Sequence, residues 1–172
     1  MNIAPVSPET LVIDAVEFHC LLRDAVEGGA SVGFTLPLAA ADVSAYWRGV
    51  GAEIQAGHRL LLAARDAAGR LAGAGQLVLE TRANGRHRAE VQRLMVMAVL
   101  RGAGIGTALM AALEQAAREQ GRTLVHLDTS VGASGAAAFY ERLGYQFAGG
   151  IPDYTVDPAG QPRANAIYYK RI

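Results

Sequence analysis

The spacing of apolar residues changes along this chain, and the changes predict its elements in order. Residues 9–27 and 40–56 place apolar side chains every three to four positions, which predicts two helices. Residues 59–99 contain apolar runs of strand length separated by turn residues, which predicts an antiparallel meander. Further along, strand and helix patterns alternate. Antiparallel strands followed by strand–helix units predict a mixed sheet in one α/β (α+β) domain that covers residues 1–172.

The first helix is predicted over Glu9–Glu27. Ser7 or Thr10 is the candidate cap, because a hydroxyl oxygen just before a helix can accept a hydrogen bond from a free backbone N–H group. We expect Val12, Val16, His19 and Val26 to lie on the buried side of this helix.

The second helix is predicted over Ala40–Ala56, beginning at Asp42, which can cap it. Trp47 is expected in the core, since no basic residues alternate with aromatic ones around it. Between the two helices, Gly28–Pro37 (GGASVGFTLP) shows no periodic pattern and is predicted to be a loop. Loops carry binding residues more often than the elements that they connect.

Turn residues divide the remaining sequence into strands and short helices. Asn84–Gly85 is a strong hairpin signal, and glycines 73 and 75 within a strand predict a bulge or a close backbone approach. The proline-containing segment Gly149–Ala164 is predicted to be a long loop. The predicted strands are Arg59–Arg65, Leu71–Thr81, Arg88–Val99, Leu124–Ser130, Tyr145–Ala148 and Ala166–Arg171, with a helix over Ser134–Leu143 and either a loop or an edge strand over Met1–Pro8.

The most informative stretch is Ala89–Gln120, which reads as a strand, a turn with three glycines and an amphipathic helix. The first N–H groups of a helix have no partner within it, and the helix dipole adds partial positive charge there. Glycines 102, 104 and 106 allow the backbone to approach a phosphate closely, and Arg101 adds a full charge. The stretch therefore predicts an anion-binding site at the start of the helix.

Two familiar phosphate-binding motifs do not match these glycines. A dinucleotide-binding fingerprint, G-x-G-x-x-G, would require a third glycine at the position of Thr107. A P-loop would require G-K-[ST] at its end, and no lysine follows here. A tight connection without ligand-binding function remains the simplest alternative for the glycine spacing alone.

The pattern [Q/R]-x-x-G-x-[G/A], written here as RGAGIG over Arg101–Gly106, resembles the first signature of the GNAT superfamily of acyl-CoA-dependent N-acyltransferases. AAAFYERLGYQFAGG over Ala136–Gly150 resembles the second, an aromatic helix that ends in glycine before a strand. The likeness is greatest to the tabtoxin-resistance acetyltransferases. It is carried by GGASVGF (28–34), RAEVQRLMV (88–96), LVHLDT (124–129) and AIYYK (166–170).

This resemblance implies a GNAT fold with a mostly antiparallel central sheet flanked by helices, and acetyl-CoA as the cosubstrate. It implies transfer of the acetyl group to a primary amine of a small molecule, for which an amino-acid-like or β-lactam toxin is the narrowest expectation. Two alternatives stay open: acetylation of a peptide or protein amine, and a non-catalytic acyl-CoA-binding module. A module without catalysis would not need acid and base residues.

Two carboxylates are candidates for binding the substrate ammonium and accepting its proton. Glu90 lies in the strand before the glycine turn, and Asp128 lies among apolar residues of a strand expected beside it. A carboxylate inside a strand is costly unless it is used or satisfied. The alternative is that Asp128 accepts hydrogen bonds from backbone N–H groups and that Glu90 pairs with Arg88 or Arg93. The family resemblance favours Glu90 as the base.

The leaving thiolate requires a proton, because the pKa of an ordinary thiol is only about 8.5. Tyr140 in AFYERLGY matches the tyrosine that acts as the general acid in the family. The alternative is that Tyr140 packs in the core beside Phe139.

The resemblance also implies the residues that hold the cosubstrate and the substrate. Backbone groups at Leu94, Met95 and Val96 would pair with the amides of pantetheine, as at the edge of a sheet. Candidate substrate-binding residues are Ser31, Phe34, Glu90 and Asp128. The pyrophosphate would be held by Arg101, Gly102, Ala103, Gly104, Ile105, Gly106 and Thr107, with Ser134 in place of an asparagine that is common in the family.

Composition limits the remaining classes. The chain has 172 residues with a formal net charge of zero, which gives no indication of a nucleic-acid or anionic-membrane surface. A single cysteine, Cys20, excludes an internal disulfide framework, and no apolar stretch approaches the roughly 20 residues that span a bilayer. We therefore expect a cytoplasmic protein, a monomer or homodimer. His58, His87 and His126 lack metal-ligand spacing, so no metal is predicted.

Overall fold

A computed structural model describes residues 1–132 and 135–172. The elements are β1 (Asn2–Pro5), α1 (Pro8–Ile13), α2 (Ala15–Glu27), α3 (Ala40–Gln55), β2 (Arg59–Arg65), β3 (Leu71–Leu79), β4 (Arg88–Val96), α4 (Ile105–Glu119), β5 (Leu124–Ser130), α5 (Ala136–Arg142), β6 (Gln146–Gly149), β7 (Thr155–Val156), β8 (Pro162–Arg163) and β9 (Asn165–Arg171). Seven strands form one sheet in the order β1-β2-β3-β4-β5-β9-β6, in which only the β4–β5 pair is parallel. The predicted fold class, a mixed and mostly antiparallel sheet flanked by helices, is confirmed.

Two hydrophobic cores cover the two faces of the sheet. On one face, α4 packs Leu109, Met110 and Leu113 against β2, β3 and β4. On the other face, α1–α3 enclose a second core that includes Phe18 and Trp47, whose rings lie 5.1 Å apart. Trp47 is therefore a core residue, as expected from the sequence.

The glycines of β3 allow α4 to lie close to the sheet. A Cβ atom at Gly75 would lie 2.8 Å from Leu113 Cδ1, and one at Gly73 would lie 2.7 Å from the carbonyl oxygen of Met95. The register between β3 and β4 also shifts between Ala74 and Gln76. The prediction of a bulge or close backbone approach at these glycines is confirmed.

The N-terminal helix differs from its prediction because it is broken. Ser7 caps α1 by accepting a hydrogen bond from the N–H group of Thr10 at 3.1 Å, and Asp14 separates α1 from α2. Val12 and Val16 are 75% and 76% exposed, so their predicted burial is wrong, whereas Val26 is buried as predicted and His19 is half-buried. The buried stripe of α2 runs through residues 18, 21, 22, 25 and 26. Position 16 lies about 200° from position 18 around a helix, on the opposite face.

The ends of several other elements differ from their predicted positions. Helix α3 begins at Ala40 without a side-chain cap, so Asp42 is not its N-cap. β3 and β4 form the predicted antiparallel hairpin, and residues 83–85 form a 3₁₀ turn within the connection between them. Strand β4 ends at Val96, and residues 98–100 form a second 3₁₀ turn. The segment Gly149–Ala164 contains the β7–β8 ribbon instead of a loop alone.

Leu113→Ala tests the packing of α4 on the sheet. Leu113 is fully buried, so truncation leaves a cavity and should lower the free energy of unfolding by about 2–5 kcal/mol. Urea denaturation followed by circular dichroism measures the change. Gln115→Ala, at an exposed position of the same helix, is the control and should stay within about 0.5 kcal/mol of the unsubstituted protein. Equal effects of the two substitutions would contradict this account of the core.

Candidate active site

The two parallel strands separate soon after they pair. Within the described residues, β4 and β5 form ladder pairs only at Arg88–Leu124, Ala89–Val125 and Glu90–His126. A bulge follows in β4, where Arg93 has a φ of +48°, an uncommon conformation for a residue with a side chain. The later residues of β4 stay paired with β3 on one side only. Their other edge is free to pair with an extended ligand.

A cleft of about 650 Å³ opens where these strands separate. The end of β4, the start of α4, β5, α5 and the α2–α3 loop all contribute to its lining. Candidate residues in the lining are Ser31, Leu94, Met95, Val96, Arg101, Gly102, Gly104, Ile105, Gly106, Thr107, Asp128 and Tyr140. Phe34, Glu90 and Ala103 are not among the described residues that line it, and Ser134 lies outside the described residues.

The start of α4 forms one wall of this cleft. Gly102 and Gly104 have φ values of +81° and +79°, and a Cβ atom at either position would meet nothing within 4 Å. No side chain of the described residues caps the helix at Gly104. Arg101 is exposed beside it, with Nε 3.4 Å from the carbonyl oxygen of Val96. Free N–H groups, open space and a neighbouring cation fit a diphosphate.

Tyr140, on α5, also lines the cleft. Its ring packs within an aromatic cluster, with centroids 5.1 Å from Phe139 and 6.0 Å from both Tyr145 and Tyr168. Burial, and to a smaller extent the negative charge of Asp128, raises the pKa of Tyr140 to about 12. The phenol therefore keeps its proton at neutral pH and can donate it. Tyr140 both packs against the core and lines the cleft.

The two candidate carboxylates lie on the same face of the sheet but line different cavities. Asp128 is exposed on β5 and lines the cleft with Tyr140. Glu90 lies beside His126 in the β4–β5 ladder and lines a neighbouring cavity of about 610 Å³. His126 and Asp128 are two residues apart on β5, so they project to one face.

The alternative to a catalytic role for Glu90 was an ion pair with Arg88 or Arg93. Both guanidinium groups have other partners. Arg88 pairs with Glu80 at 2.9 Å. Arg93 donates from Nε to the carbonyl oxygen of Val32 at 3.1 Å. Neither contact involves Glu90, which leaves this carboxylate available to the cavity that it lines.

A polar network beneath the bulge was not predicted from the sequence. Buried Gln76 accepts a hydrogen bond from Arg59 and donates one to the hydroxyl of Tyr46 at 2.6 Å. Arg59 and Arg93 also donate to the side-chain oxygen of Gln92, each at 3.2 Å. The available signal was the pair of glutamines within otherwise apolar strands, since a buried amide needs partners.

Two negative findings apply to residues 1–132 and 135–172. No helix there is long and apolar enough to cross a membrane. The same residues contain no group of three or more His, Cys, Asp and Glu side chains placed to hold a metal ion.

Comparison with known proteins identifies the family of this chain. The model of the acetyltransferase (GNAT) family matches residues 19–145. The chain belongs to this family. Membership supports the expected enzyme class, an acyl-CoA-dependent acetyltransferase. The likeness to the tabtoxin-resistance subgroup stays a prediction.

Solved GNAT structures share the whole fold at low sequence identity. A ribosomal-protein-alanine N-acetyltransferase from Brucella melitensis superposes with a TM-score of 0.83 at 20% identity, over 100% of both chains. A putative acetyltransferase from Salmonella typhimurium, determined with its cofactor acetyl-CoA, gives a TM-score of 0.79 at 16% identity over 99% of this chain and 93% of the other. Such identities show the fold alone.

The curated relatives match only a segment of the chain. An aminoalkylphosphonate N-acetyltransferase from Salmonella typhimurium is 40% identical over 57 residues, which are 33% of this chain and 37% of the relative. An uncharacterised N-acetyltransferase from Methanocaldococcus jannaschii is 41% identical over 61 residues, 36% of this chain. The chain thus spans 27% and 37% of the lengths of these two relatives.

Proposed function

We propose that residues 1–172 act as one acetyltransferase domain that moves the acetyl group of acetyl-CoA to a primary amine of a small molecule by direct attack. One observation carries the proposal. One cleft is lined by the uncapped, glycine-rich start of α4 together with Tyr140 and Asp128. An anion site and an acid–base pair are what acetyl transfer from a nucleotide thioester requires.

The chain's own groups would divide the binding of the cosubstrate. N–H groups of residues 102–107 and the guanidinium of Arg101 would bind the pyrophosphate. Free backbone groups at Leu94–Val96 would pair with the pantetheine amides as an added strand would. Acetyl-CoA supplies the activated acyl group. These contacts direct it toward the gap between β4 and β5, where Tyr140 lines the cleft.

Asp128 and Glu90 are proposed to receive the amine. Because Asp128 lines the cleft, it would hold the substrate ammonium and accept its proton, directly or through a water molecule. Glu90 lines the neighbouring cavity on the same sheet face and would act through a water molecule. Tyr140 would then protonate the departing sulfur.

For the acceptor we propose a small amino compound, with an amino-acid-like or β-lactam toxin as the narrowest class. The subgroup resemblance supports this choice. So does the matching segment of the aminoalkylphosphonate N-acetyltransferase, a protein named for a small amine. A putative phosphinothricin N-acetyltransferase shares the fold with a TM-score of 0.78 at 17% identity, over 99% of this chain and 97% of the other. We further propose that the protein works in the cytoplasm as a monomer or homodimer.

Thiol release from acetyl-CoA across a panel of amines tests the proposal. We expect release with small amines and none with peptides. Release with peptides alone would favour a peptide acetyltransferase. Acetyl-CoA binding without release by any amine would indicate a non-catalytic module.

Asp128→Asn and Glu90→Gln compare the two carboxylates. General-base removal costs about 10²–10⁴ in rate, so we expect Asp128→Asn to lower kcat/KM by at least about a hundredfold. Glu90→Gln should have a smaller effect, because its side chain lies outside the cleft lining. Steady-state kinetics over a range of pH measures both. A larger loss with Glu90→Gln would make Glu90 the base.

A further inference from the structure

Arg93 is a cation without an anionic partner at the wall of the cleft. It is half-buried and lines the cleft, and it takes part in none of the ion pairs formed among the described residues. Removing a charge from water is costly unless an opposite charge or hydrogen bonds replace the water. The backbone of Arg93 is also strained, with a φ of +48°.

The contacts of Arg93 fix the orientation of its guanidinium group. Nε donates to the carbonyl oxygen of Val32 at 3.1 Å, and Nη1 donates to Gln92 Oε1 at 3.2 Å. The guanidinium carbon lies 4.8 Å from the centroid of the Tyr46 ring. The acceptors of both hydrogen bonds are neutral oxygens, and the Tyr46 ring is also uncharged, so the guanidinium group is held in place without an anion beside it.

The third nitrogen of the guanidinium group, Nη2, lies against Gly33. Within the described residues, Nη2 of Arg93 forms no hydrogen bond. A Cβ atom at Gly33 would lie 2.8 Å from Nη2, so the absence of a side chain there leaves room for it. Nη2 carries two N–H donors, and an arginine with free donors in a fixed plane is suited to a carboxylate.

We infer that Arg93 binds a carboxylate of the acceptor, so that the preferred substrates are amines that also carry a carboxyl group. The inference rests on the proposed function, since the same cleft must receive the amine at Asp128. Asp128 and Arg93, which both line the cleft, give it one negative and one positive group. An amino acid in its zwitterionic form presents the complementary pair of charges.

Matched acceptors test the inference in two ways. An α-amino acid, its methyl ester and the corresponding decarboxylated amine are compared by thiol release from acetyl-CoA. They are also compared by the rise in melting temperature that each causes in the presence of CoA, which requires no turnover. We expect the amino acid to have a kcat/KM at least about tenfold above those of the other two, and to stabilise the protein most.

Arg93→Gln should remove this preference. We expect KM for the amino acid to rise at least about tenfold with little change in kcat, and the values for the decarboxylated amine to stay within about twofold. Arg23→Gln, which removes a charge from the exposed surface of α2, is the matched control and should retain the preference.

The outcomes separate the subsite from the proposed function. An equal loss for all three acceptors in Arg93→Gln would make Arg93 a support for the α2–α3 loop and overturn the inference. Turnover in the unsubstituted protein without a preference for carboxylates would also overturn it, while the proposed function would stand. Stabilisation by the amino acid alone, lost in Arg93→Gln but without turnover, would keep the subsite and refute the acetyl transfer.

Discussion

Gly104→Val will weaken acetyl-CoA binding at least about a hundredfold, which corresponds to roughly 2.7 kcal/mol. The Cβ of residue 104 would project into open space at the uncapped start of α4, where the diphosphate is proposed to lie. A branched side chain there blocks close approach to the N–H groups. Isothermal titration calorimetry with acetyl-CoA measures the loss.

Backbone strain is the competing explanation, because valine rarely adopts the φ of +79° found at Gly104. Such strain costs about 1–3 kcal/mol. Gly121 provides a matched control. It follows α4 at the opposite end, has a φ of +68° and has nothing within 4 Å of its Cβ direction. Gly121→Val should lower the melting temperature similarly and leave acetyl-CoA affinity unchanged. If Gly104→Val retains its affinity, the helix start does not bind the diphosphate.

Tyr140→Phe will lower turnover at least tenfold and leave acetyl-CoA affinity nearly unchanged. The substitution removes only the hydroxyl group. If this group acts as the general acid, it contributes a factor of about 10²–10⁴ to the rate. The ring remains in the aromatic cluster with Phe139, Tyr145 and Tyr168. Steady-state kinetics together with a binding measurement tests both parts of the expectation.

Tyr145→Phe is the control, since it removes a buried hydroxyl from the same cluster outside the cleft lining. Its turnover should stay within about twofold of that of the unsubstituted protein.

The pKa of about 12 at Tyr140 adds a further expectation. Because the phenol is protonated below that value, any titration of kcat between pH 6 and pH 9 must belong to another group. A pH profile that is lost on Tyr140→Phe in this range would contradict the raised pKa, and unchanged turnover would remove Tyr140 from the mechanism.

Local patterns were sufficient to predict most of the fold. Leu124–Ser130 was predicted with its observed ends, because an apolar run between turn residues defines a buried strand. The glycine turn and α4 were predicted because the glycines and the apolar helical stripe are both visible in the sequence, and Gly102 and Gly104 have positive φ in the structure. The break at Asp14 was missed because residues 9–27 have a nearly continuous helical pattern. The buried face of α2 also differs from the predicted one, because tertiary packing determines which side of a helix is covered.

The site was predicted less completely for a physical reason. The residues that belong to one motif, such as Arg101–Gly106, are close in sequence and could be identified together. The arrangement of Arg93, Tyr46 and Val32 depends on a bulge that turns one side chain toward a loop about 60 residues earlier. No periodicity in a single sequence records such a contact. The different cavities of Glu90 and Asp128 likewise depend on where two strands separate.

The early separation of β4 from β5 also affects how the molecule resists unfolding. The ladder between the two halves of the sheet, β1–β4 and β5-β9-β6, has only three residue pairs within the described chain. A ligand chain lying in the gap would replace missing hydrogen bonds on the open side of β4. Amide protons near residues 91–96 should then exchange with deuterium more slowly once the gap is filled, and the two halves should melt more cooperatively. If the proposed function holds, the pantetheine chain of acetyl-CoA would serve as a temporary strand of the sheet.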